Sequence, residues 1–214
     1  MFNFIWGTKK KDFLKGSPDA DLIRGWDGND SLYGKRGDDW IIGGDGDDHI
    51  YGGSGFPLEL SYDDGDDHLY GGKGKDYLYG EYGDDYLSGG DDDDYINGGE
   101  GDDTIKGGGG DDILEGGEDG DWLWGDEGKD TFVYNTGDGS DFIWDFTQGE
   151  DMIELSYDGI ADWGDLSGCI SSDTDGTALI TFSAGDVQLG IEDDSILLSG
   201  VDAASLEASD FAFA

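Results

Sequence analysis

The chain has 214 residues, of which 42 are glycine, and its 53 acidic residues face only 11 lysines and arginines. A net charge near −42 opposes compaction, so we expect the chain to be unfolded when no cation is present. The same charge argues against a nucleic-acid surface, which should be basic. No apolar run has the length of a membrane span, and Cys169, the single cysteine, excludes an internal disulfide.

The N-terminal segment, residues 1–6, is apolar but short. Lys9, Lys10 and Lys11 come after it, whereas a secretory signal peptide carries its positive charges first. We therefore expect residues 1–6 to cap the first turn of the folded domain, in a chain that is complete at this end.

A nine-residue repeat occupies residues 7–133, with one insertion at about 56–65. Each of its thirteen units begins with glycine and, counted past the insertion, carries aspartate at its sixth position and an apolar residue at its eighth. Such a period is typical of a parallel β-roll that binds calcium. The glycines are Gly7, Gly16, Gly25, Gly34, Gly43, Gly52, Gly71, Gly80, Gly89, Gly98, Gly107, Gly116 and Gly125.

The spacing predicts a turn over the first six residues of a unit and a three-residue strand after it. The apolar eighth residue should face the interior, so successive units must lie on two opposite sheets. Loops on one edge would then stack ~4.8 Å apart. Carboxylates at ~5 Å repel by roughly 1 kcal/mol even in water, so the stack should need a cation. The expected core residues are Leu14, Ile23, Leu32, Ile41, Ile50, Leu69, Leu78, Leu87, Ile96, Ile105, Leu114, Leu123 and Phe132.

These units resemble those of the repeats-in-toxin (RTX) family, which read Gly-Gly-x-Gly-x-Asp followed by alternating apolar residues. The resemblance implies an all-β fold, a right-handed parallel β-roll with a β-rich C-terminal cap. It also implies several Ca²⁺ ions, roughly eight to ten, because each ion needs a full set of oxygen ligands from two loops. The loops depart from the pattern at Thr8, Lys10, Ser17, Asp19 and Asp126, which leaves the ions at both ends open.

The implied calcium ligands are of two kinds. The carboxylates are Asp21, Asp30, Asp39, Asp48, Asp67, Asp76, Asp85, Asp94, Asp103, Asp112, Asp121 and Asp130. The loop glycines, through their carbonyls, are Gly28, Gly37, Gly44, Gly46, Gly53, Gly72, Gly74, Gly83, Gly90, Gly99, Gly101, Gly108 and Gly110.

Residues 134–214 form the expected cap, with 18 acidic residues and no lysine or arginine. Strand-like stretches are 178–182, 187–191 and 196–199, with a hairpin turn at 185–186. Residues 141–156 resemble the segment after the roll in secreted RTX proteins, including serralysin-type proteases. The end, 206–214, resembles the uncleaved signal read by type I secretion systems, which is compatible with a terminal strand or helix that docks its phenylalanines.

No catalytic site is expected. The sequence has no His-Glu-x-x-His motif and no Gly-x-Ser-x-Gly elbow, and His49 and His68 should lie on opposite sheets, too far apart to share zinc. The insertion at 56–65 is read as a tolerated surface excursion, with a ligand-contacting loop as the alternative.

Outward aromatic residues admit two interpretations. They are either cross-strand ladders that stiffen narrow sheets or a face that stacks on sugars or a partner. Tyr33, Tyr51 and Tyr79 should share a row on one sheet. The possible ligand face on the other sheet is Trp40, Tyr70, Tyr86, Trp122 and Trp124.

The sequence thus predicts a secreted, extracellular calcium-binding roll that is disordered without calcium and exported by a type I secretion system. An alternative is a calcium-dependent adhesion or polysaccharide-binding module, with a polysaccharide or cell surface as partner. A second alternative is the export and folding tail of a larger secreted enzyme.

Overall fold

A computed structural model describes residues 2–53, 65–156, 160–167, 169–172, 177–182 and 194–213. Nearly all of the predicted insertion at 56–65 lies outside these residues, as do the predicted strand at 187–191 and the turn at 185–186. In the part of the chain that the structure describes, no helix is long and apolar enough to span a membrane.

Two sheets built from alternate strands enclose a narrow core. The larger sheet runs, in spatial order, through β1 (Asn3–Trp6), β3 (Asp21–Asp27), β5 (Trp40–Asp45), β7 (His68–Lys73), β9 (Tyr86–Asp91), β11 (Thr104–Gly109), β13 (Trp122–Glu127), β15 (Ser140–Ile143), β19 (Asp194–Asp202), β18 (Thr177–Phe182) and β17 (Ile170–Ser172). The smaller sheet runs through β2 (Phe13–Lys15), β4 (Ser31–Tyr33), β6 (His49–Tyr51), β8 (Tyr77–Tyr82), β10 (Tyr95–Glu100), β12 (Ile113–Glu118), β14 (Thr131–Asn135), β16 (Met152–Ser156) and β20 (Phe211–Phe213).

The predicted parallel β-roll, with successive units on opposite sheets, is confirmed. In the larger sheet, neighbouring strands pair in parallel from β1 through β15 to β19. In the smaller sheet, every pair of neighbouring strands is parallel. The eighth-position residues stack in register, as Ile23 on Ile41 and Ile41 on Leu69. From Ile23 to Phe132 they are all buried, so two rows of apolar side chains form the core.

The strands are longer than predicted. In most units from β5 onward they contain six residues and not three, because pairing continues into the loop after the first glycine. In β10, Gly99 and Glu100 pair with Gly117 and Glu118 of β12. The positive φ of +122° at Gly99 turns the chain without ending the ladder, a conformation that glycine adopts without steric cost.

The parallel ladders continue past residue 133, although the repeat has faded there. β13 pairs with β15, and β14 pairs with β16. One coil beyond Gly125 the equivalent position is Asp145, whose Oδ1 accepts the N–H of Gly125, and the buried ring of Phe146 lies 6.2 Å from that of Phe132. The division of the chain into roll and cap therefore reflects a change of loop sequence, while strand pairing is continuous.

The last part of the chain closes this end of the core. β18 pairs antiparallel with both β17 and β19, and β18 and β19 contain the predicted stretches 178–182 and 196–199. A short helix, α1 (Trp163–Leu166), was not predicted; Asp162 caps it by accepting from two backbone N–H groups. Leu166 is buried, and the ring of Trp163 lies 5.6 Å from that of Phe211.

Candidate calcium sites between stacked loops

The sixth-position aspartates form two columns, one along each edge of the roll. In each column the Oδ1 of one aspartate accepts the backbone N–H of the equivalent aspartate in the preceding coil. Asp103, for example, accepts from Asp85 at 2.8 Å and donates its own N–H to Asp121 at 2.8 Å. These bonds fix each carboxylate at the start of a strand and leave its second oxygen for another partner.

That second oxygen, Oδ2, is buried and accepts no hydrogen bond in the central coils. This holds for Asp30, Asp48, Asp76, Asp94, Asp103, Asp112 and Asp121. Asp103 is 0% exposed, so bulk solvent does not reach its carboxylate. An anionic oxygen left buried without a partner is strongly unfavourable, and a bound cation removes that cost.

The first glycine of each unit makes room beside this oxygen. A Cβ placed on Gly98 would lie 2.1 Å from the Oδ2 of Asp103 and 2.5 Å from the carbonyl oxygen of Gly116 in the next loop. A carboxylate oxygen and a carbonyl oxygen therefore approach the same space with no donor between them. These are the hard oxygen ligands that calcium prefers, so the residues fit the ion.

The predicted ligand set held only glycines of the second and fourth positions, whereas the carbonyls that lie near the buried Oδ2 atoms are those of first-position glycines such as Gly116. Those predicted glycines have carbonyls that face the glycine of the next coil. A Cβ on Gly72 would lie 2.1 Å from the oxygen of Gly44, and one on Gly101 would lie 2.3 Å from that of Gly83. This explains why side chains are absent there, while the role of these carbonyls as ligands stays a prediction.

Burial makes the ionised carboxylates costly. It raises the pKa of Asp103 to about 9, that of Asp76 to about 8 and those of Asp48 and Asp94 to about 7. The backbone N–H that each carboxylate accepts opposes the shift, and neighbouring aspartates add to it. At neutral pH the columns therefore need protons or cations to remain buried.

The loops at the N-terminal end satisfy their aspartates with protein donors. Asp12 accepts through Oδ2 from the backbone N–H of Thr8 at 2.5 Å and from its hydroxyl at 2.8 Å. Asp21 accepts from the N–H of Ser17 at its Oδ2 and from the side chain of Asn3 at its Oδ1. This geometry argues against the predicted role of Asp21 as a calcium ligand and explains the departures at Thr8 and Ser17.

Two further aspartates, absent from the prediction, extend the columns. Asp121 donates its N–H to Asp141 at 3.2 Å, and Asp130 donates to Asp151 at 3.0 Å. Asp141 and Asp151 each stand two residues before a buried isoleucine, which is the same spacing of aspartate and apolar residue that the repeat has. They were missed because the glycine frame is lost after residue 133. Asp151 ends its column with its Oδ2 bonded to the N–H of Thr147 at 2.6 Å.

Side chains alone do not form a metal centre. Within the described ranges, no group of three or more His, Cys, Asp or Glu side chains is placed to hold an ion. A bound cation must therefore take backbone oxygens as well, as the facing carbonyls of the first-position glycines allow.

The outward aromatic residues form ladders along both sheets. Tyr33, Tyr51 and Tyr79 stack with ring centroids 4.9 and 5.0 Å apart, in the predicted row. His68 of the larger sheet stacks between Trp40 and Tyr86, whereas His49 belongs to the smaller sheet, as predicted.

The predicted ligand face on the larger sheet is divided into two groups, with Trp40, Tyr70 and Tyr86 in one and Trp122 and Trp124 in the other. Thr104 and Lys106 lie between its members on β9 and those on β13. Beyond them, Trp124 stacks parallel to Trp144 at 5.5 Å. Trp122 pairs in register with Phe142.

Comparison with known proteins agrees with this geometry. The family of the RTX calcium-binding nonapeptide repeat (4 copies) matches residues 2–32, 27–56, 61–96, 88–123, 97–132 and 107–143, well over half of the chain. No curated protein matches the sequence significantly.

Similar solved structures include the following three. The AlgE6R3 subunit of the Azotobacter vinelandii mannuronan C5-epimerase is 22% identical, covers 97% of this chain and 81% of its own, and has a TM-score of 0.37. The AlgE6R2 subunit of that enzyme is 27% identical over 69% of this chain and 88% of its own, with a TM-score of 0.42. The extracellular lipase LipA of Serratia marcescens is 15% identical over 100% of this chain but 40% of its own, with a TM-score of 0.38. On the family match, the chain belongs to the RTX family, and its repeats form a structural, calcium-binding β-roll.

Proposed function

We propose that this protein is a secreted module whose roll folds when calcium binds between its stacked loops. The observation that carries the proposal is the series of buried Oδ2 atoms without a donor, which from Asp30 to Asp112 lie beside a carbonyl of the next coil. The proposed ligands are the central sixth-position aspartates together with loop carbonyls, and roughly eight to ten ions fit these columns. The roll is proposed as residues 7–133, with caps at 1–6 and 134–214.

The mechanism is thermodynamic linkage. The free energy of calcium binding becomes free energy of folding, because the unfolded chain has no preformed site. Extracellular calcium modules bind at ~10⁻⁴–10⁻³ M, so the chain would stay unfolded in cytosol and fold after export. The proposed exporter is a type I secretion system that reads the C-terminal residues 206–214.

A calcium titration followed by circular dichroism tests the proposal. At neutral to alkaline pH we expect a coil spectrum in a calcium chelator, strand signal at millimolar calcium and no such change with equal magnesium, because magnesium keeps its water and demands octahedral geometry. A strand spectrum that persists in the chelator at low ionic strength would refute calcium-coupled folding. Export is tested separately, by removing residues 206–214 in a host with a type I exporter.

A role in catalysis is not part of the proposal. The buried carboxylates of the repeat stand in columns that the proposed calcium sites already use. Whether the chain is the tail of a larger secreted enzyme is decided by the length of its gene.

A second candidate function is binding of a polysaccharide. The observation that favours it is the exposed pair Trp122 and Trp144, 41% and 42% accessible on one face of the larger sheet. Exposed aromatic faces of this kind stack on sugar rings. A glycan array in calcium should then bind the wild type and not Trp122→Ala/Trp144→Ala, with Tyr77→Ala, an equally exposed aromatic residue on the smaller sheet, as the control. No binding at millimolar glycan would remove this candidate.

A further inference from the structure

The N-terminal end of the roll is partly open. β1 and β2 begin the two sheets, and within the described residues each pairs on one side only, β1 with β3 and β2 with β4. Their inward residues, Ile5 and Leu14, are only partly buried, whereas Ile23 and Leu32 in the next coil are 0% exposed. The N-terminal segment therefore covers this end of the core incompletely and leaves two strand edges without a neighbour.

The same end carries the most exposed apolar side chains. Phe4 and Phe13 are each 63% exposed, Trp6 is 53% and Phe2 is 44%, and no other large apolar residue in the described ranges reaches these values. The rings of Phe4 and Trp6 lie 6.0 Å apart on the outer face of β1. An unpaired strand edge beside exposed aromatic rings is a template for pairing with another chain.

Lysines often protect such an edge, but two of those nearby are turned away from it. Lys9 forms a salt bridge with Asp27 of β3 at 2.8 Å. The ammonium group of Lys15 lies 4.8 Å from the ring centroid of Tyr33 in β4. Both side chains thus lie against the next coil of their own roll, so their charges do not project across the open end.

The distribution of charge favours contact between two copies through this end. Residues 1–36 contain seven basic and five acidic side chains, a net charge of +2, whereas residues 37–214 contain four basic and 48 acidic side chains. Contact along the length of the roll would bring two acidic bodies side by side, and their repulsion opposes it. Contact between the N-terminal ends keeps those bodies at opposite ends of one rod.

We propose that two copies of this chain associate through their N-terminal ends, with β1 antiparallel to β1 of the second copy and β2 antiparallel to β2. A twofold axis between the ends makes the contact self-complementary and closes it at two copies. Ile5 and Leu14 then continue the core across the junction, and the exposed rings of Phe4 and Trp6 meet those of the second copy. This contact goes beyond the proposed calcium function and uses none of its ligands.

The shape of the two ends argues against a head-to-tail arrangement. β1 and β2 are both the first strands of their sheets, so the N-terminal end is level. At the other end the eleven-stranded sheet extends past the nine-stranded one, so a level end does not fit against it. Because the end of a two-sheet roll is narrow, the interface lies at the small end of the range for specific complexes, and the dimer should form reversibly.

The test begins with sedimentation velocity of the full chain in millimolar calcium, where the roll is folded, over a wide range of protein concentration. The mass should rise from 22.9 kDa to twice that value and no further. Small-angle X-ray scattering should give a dimer about twice as long as the monomer. Higher salt should strengthen the association because it screens the repulsion between the acidic bodies, whereas a head-to-tail contact between opposite charges would weaken.

A pair of double variants locates the contact. Phe4→Glu/Phe13→Glu places like charges at the junction on both outer faces, and the dissociation constant of the dimer should rise at least about tenfold. Both side chains are exposed, so the roll should still fold. Trp122→Glu/Ile113→Glu is the matched control, since it adds the same charge at exposed outward positions on the same two sheets, far from the end, and should leave the dimer unchanged.

Each other outcome overturns the proposal. A monomer at every concentration, growth beyond the dimer, a dimer no longer than the monomer, or equal effects of the two double variants would each do so. Should Phe4→Glu/Phe13→Glu not fold, the length and the salt dependence of the wild-type dimer decide. None of these results bears on the proposed calcium function, which the calcium titration tests separately.

Discussion

The central loops and the end loops of the roll hold the same aspartate in two different ways. In the centre, Asp103 has a buried Oδ2 with no donor beside the carbonyl of Gly116. At the N-terminal end, Asp12 receives two hydrogen bonds from Thr8 at the same atom. The comparison teaches that the central loops leave the buried Oδ2 open for a cation, whereas the loops that carry Thr8 and Ser17 at the second position close it with protein donors.

Of the changes considered, removal of calcium should cause the largest loss of structure. The ends cannot fold alone, because the core is continuous from Ile23 to Phe132 and an isolated coil buries too little apolar surface. We expect a chelator to abolish protection from hydrogen exchange throughout both sheets. Protected central strands without calcium would show that their aspartates need no cation.

Of single substitutions, a methyl group placed between the Oδ2 of Asp103 and the carbonyl oxygen of Gly116 should destabilise the fold most. Gly98→Ala would place a carbon 2.1 Å from the Oδ2 of Asp103 and 2.5 Å from the carbonyl oxygen of Gly116. We expect a loss of about 1–3 kcal/mol in the free energy of unfolding in calcium, together with weaker calcium binding, because a well-packed site must move. Chemical denaturation and a calcium titration measure the two effects.

Gly109→Ala is the matched control, since no atom lies within 4 Å of a Cβ at that position. It should leave stability and calcium affinity unchanged within error. Equal effects of the two substitutions would show that the first-position glycine serves the repeat by its flexibility alone and not by the space that it leaves beside the carboxylate.

The stability of the calcium-free fold should also depend on pH, because burial raises the pKa values of the aspartates in the central columns. Because burial raises the pKa of Asp103 to about 9 and that of Asp76 to about 8, the folded state binds more protons than the unfolded state at neutral pH. The calcium-free fold should therefore gain stability as pH falls below these values and lose it as pH rises through them.

In a chelator, circular dichroism should show more strand at about pH 5.5 than at about pH 8, and calcium binding should release protons and weaken as pH falls. Isothermal titration in buffers of different ionisation enthalpy measures the released protons. A calcium-free spectrum that does not change with pH would contradict the burial of these carboxylates.

The smallest effect on stability is expected in the N-terminal loop, where Thr8 satisfies the carboxylate of Asp12. Thr8→Val removes the hydroxyl that donates to Asp12 at 2.8 Å and should cost about 0.5–1 kcal/mol at every calcium concentration that folds the roll. Thr104→Val, on the outer face of β11, is the control and should be neutral. If the effect of Thr8→Val disappears in excess calcium, the end loop binds an ion after all.

The sequence was sufficient for the coil, its core and the aspartate columns, because a nine-residue period determines which side of each strand faces inward. It did not predict the six-residue strands, because a ladder that continues through a glycine turn leaves no hydrophobic signal. Backbone carbonyls such as that of Gly116 carry no side-chain signal either. The donor role of Thr8 and the extension of the columns to Asp141 depend on contacts between residues of different coils.

The C-terminal region shows the same limit. The docking of β19 on the loop that holds Gly139 joins residues 56 positions apart, and no local pattern specifies that pairing. α1, by contrast, has a local cap at Asp162, but four residues are too few for helical periodicity to appear.

The most direct measurement is a crystal structure grown in calcium, with anomalous scattering used to locate the ions. We predict an ion beside the Oδ2 of each central aspartate, including Asp103, and none beside Asp12 or Asp21. Central loops that stack in the same register with no ion between them would contradict the account.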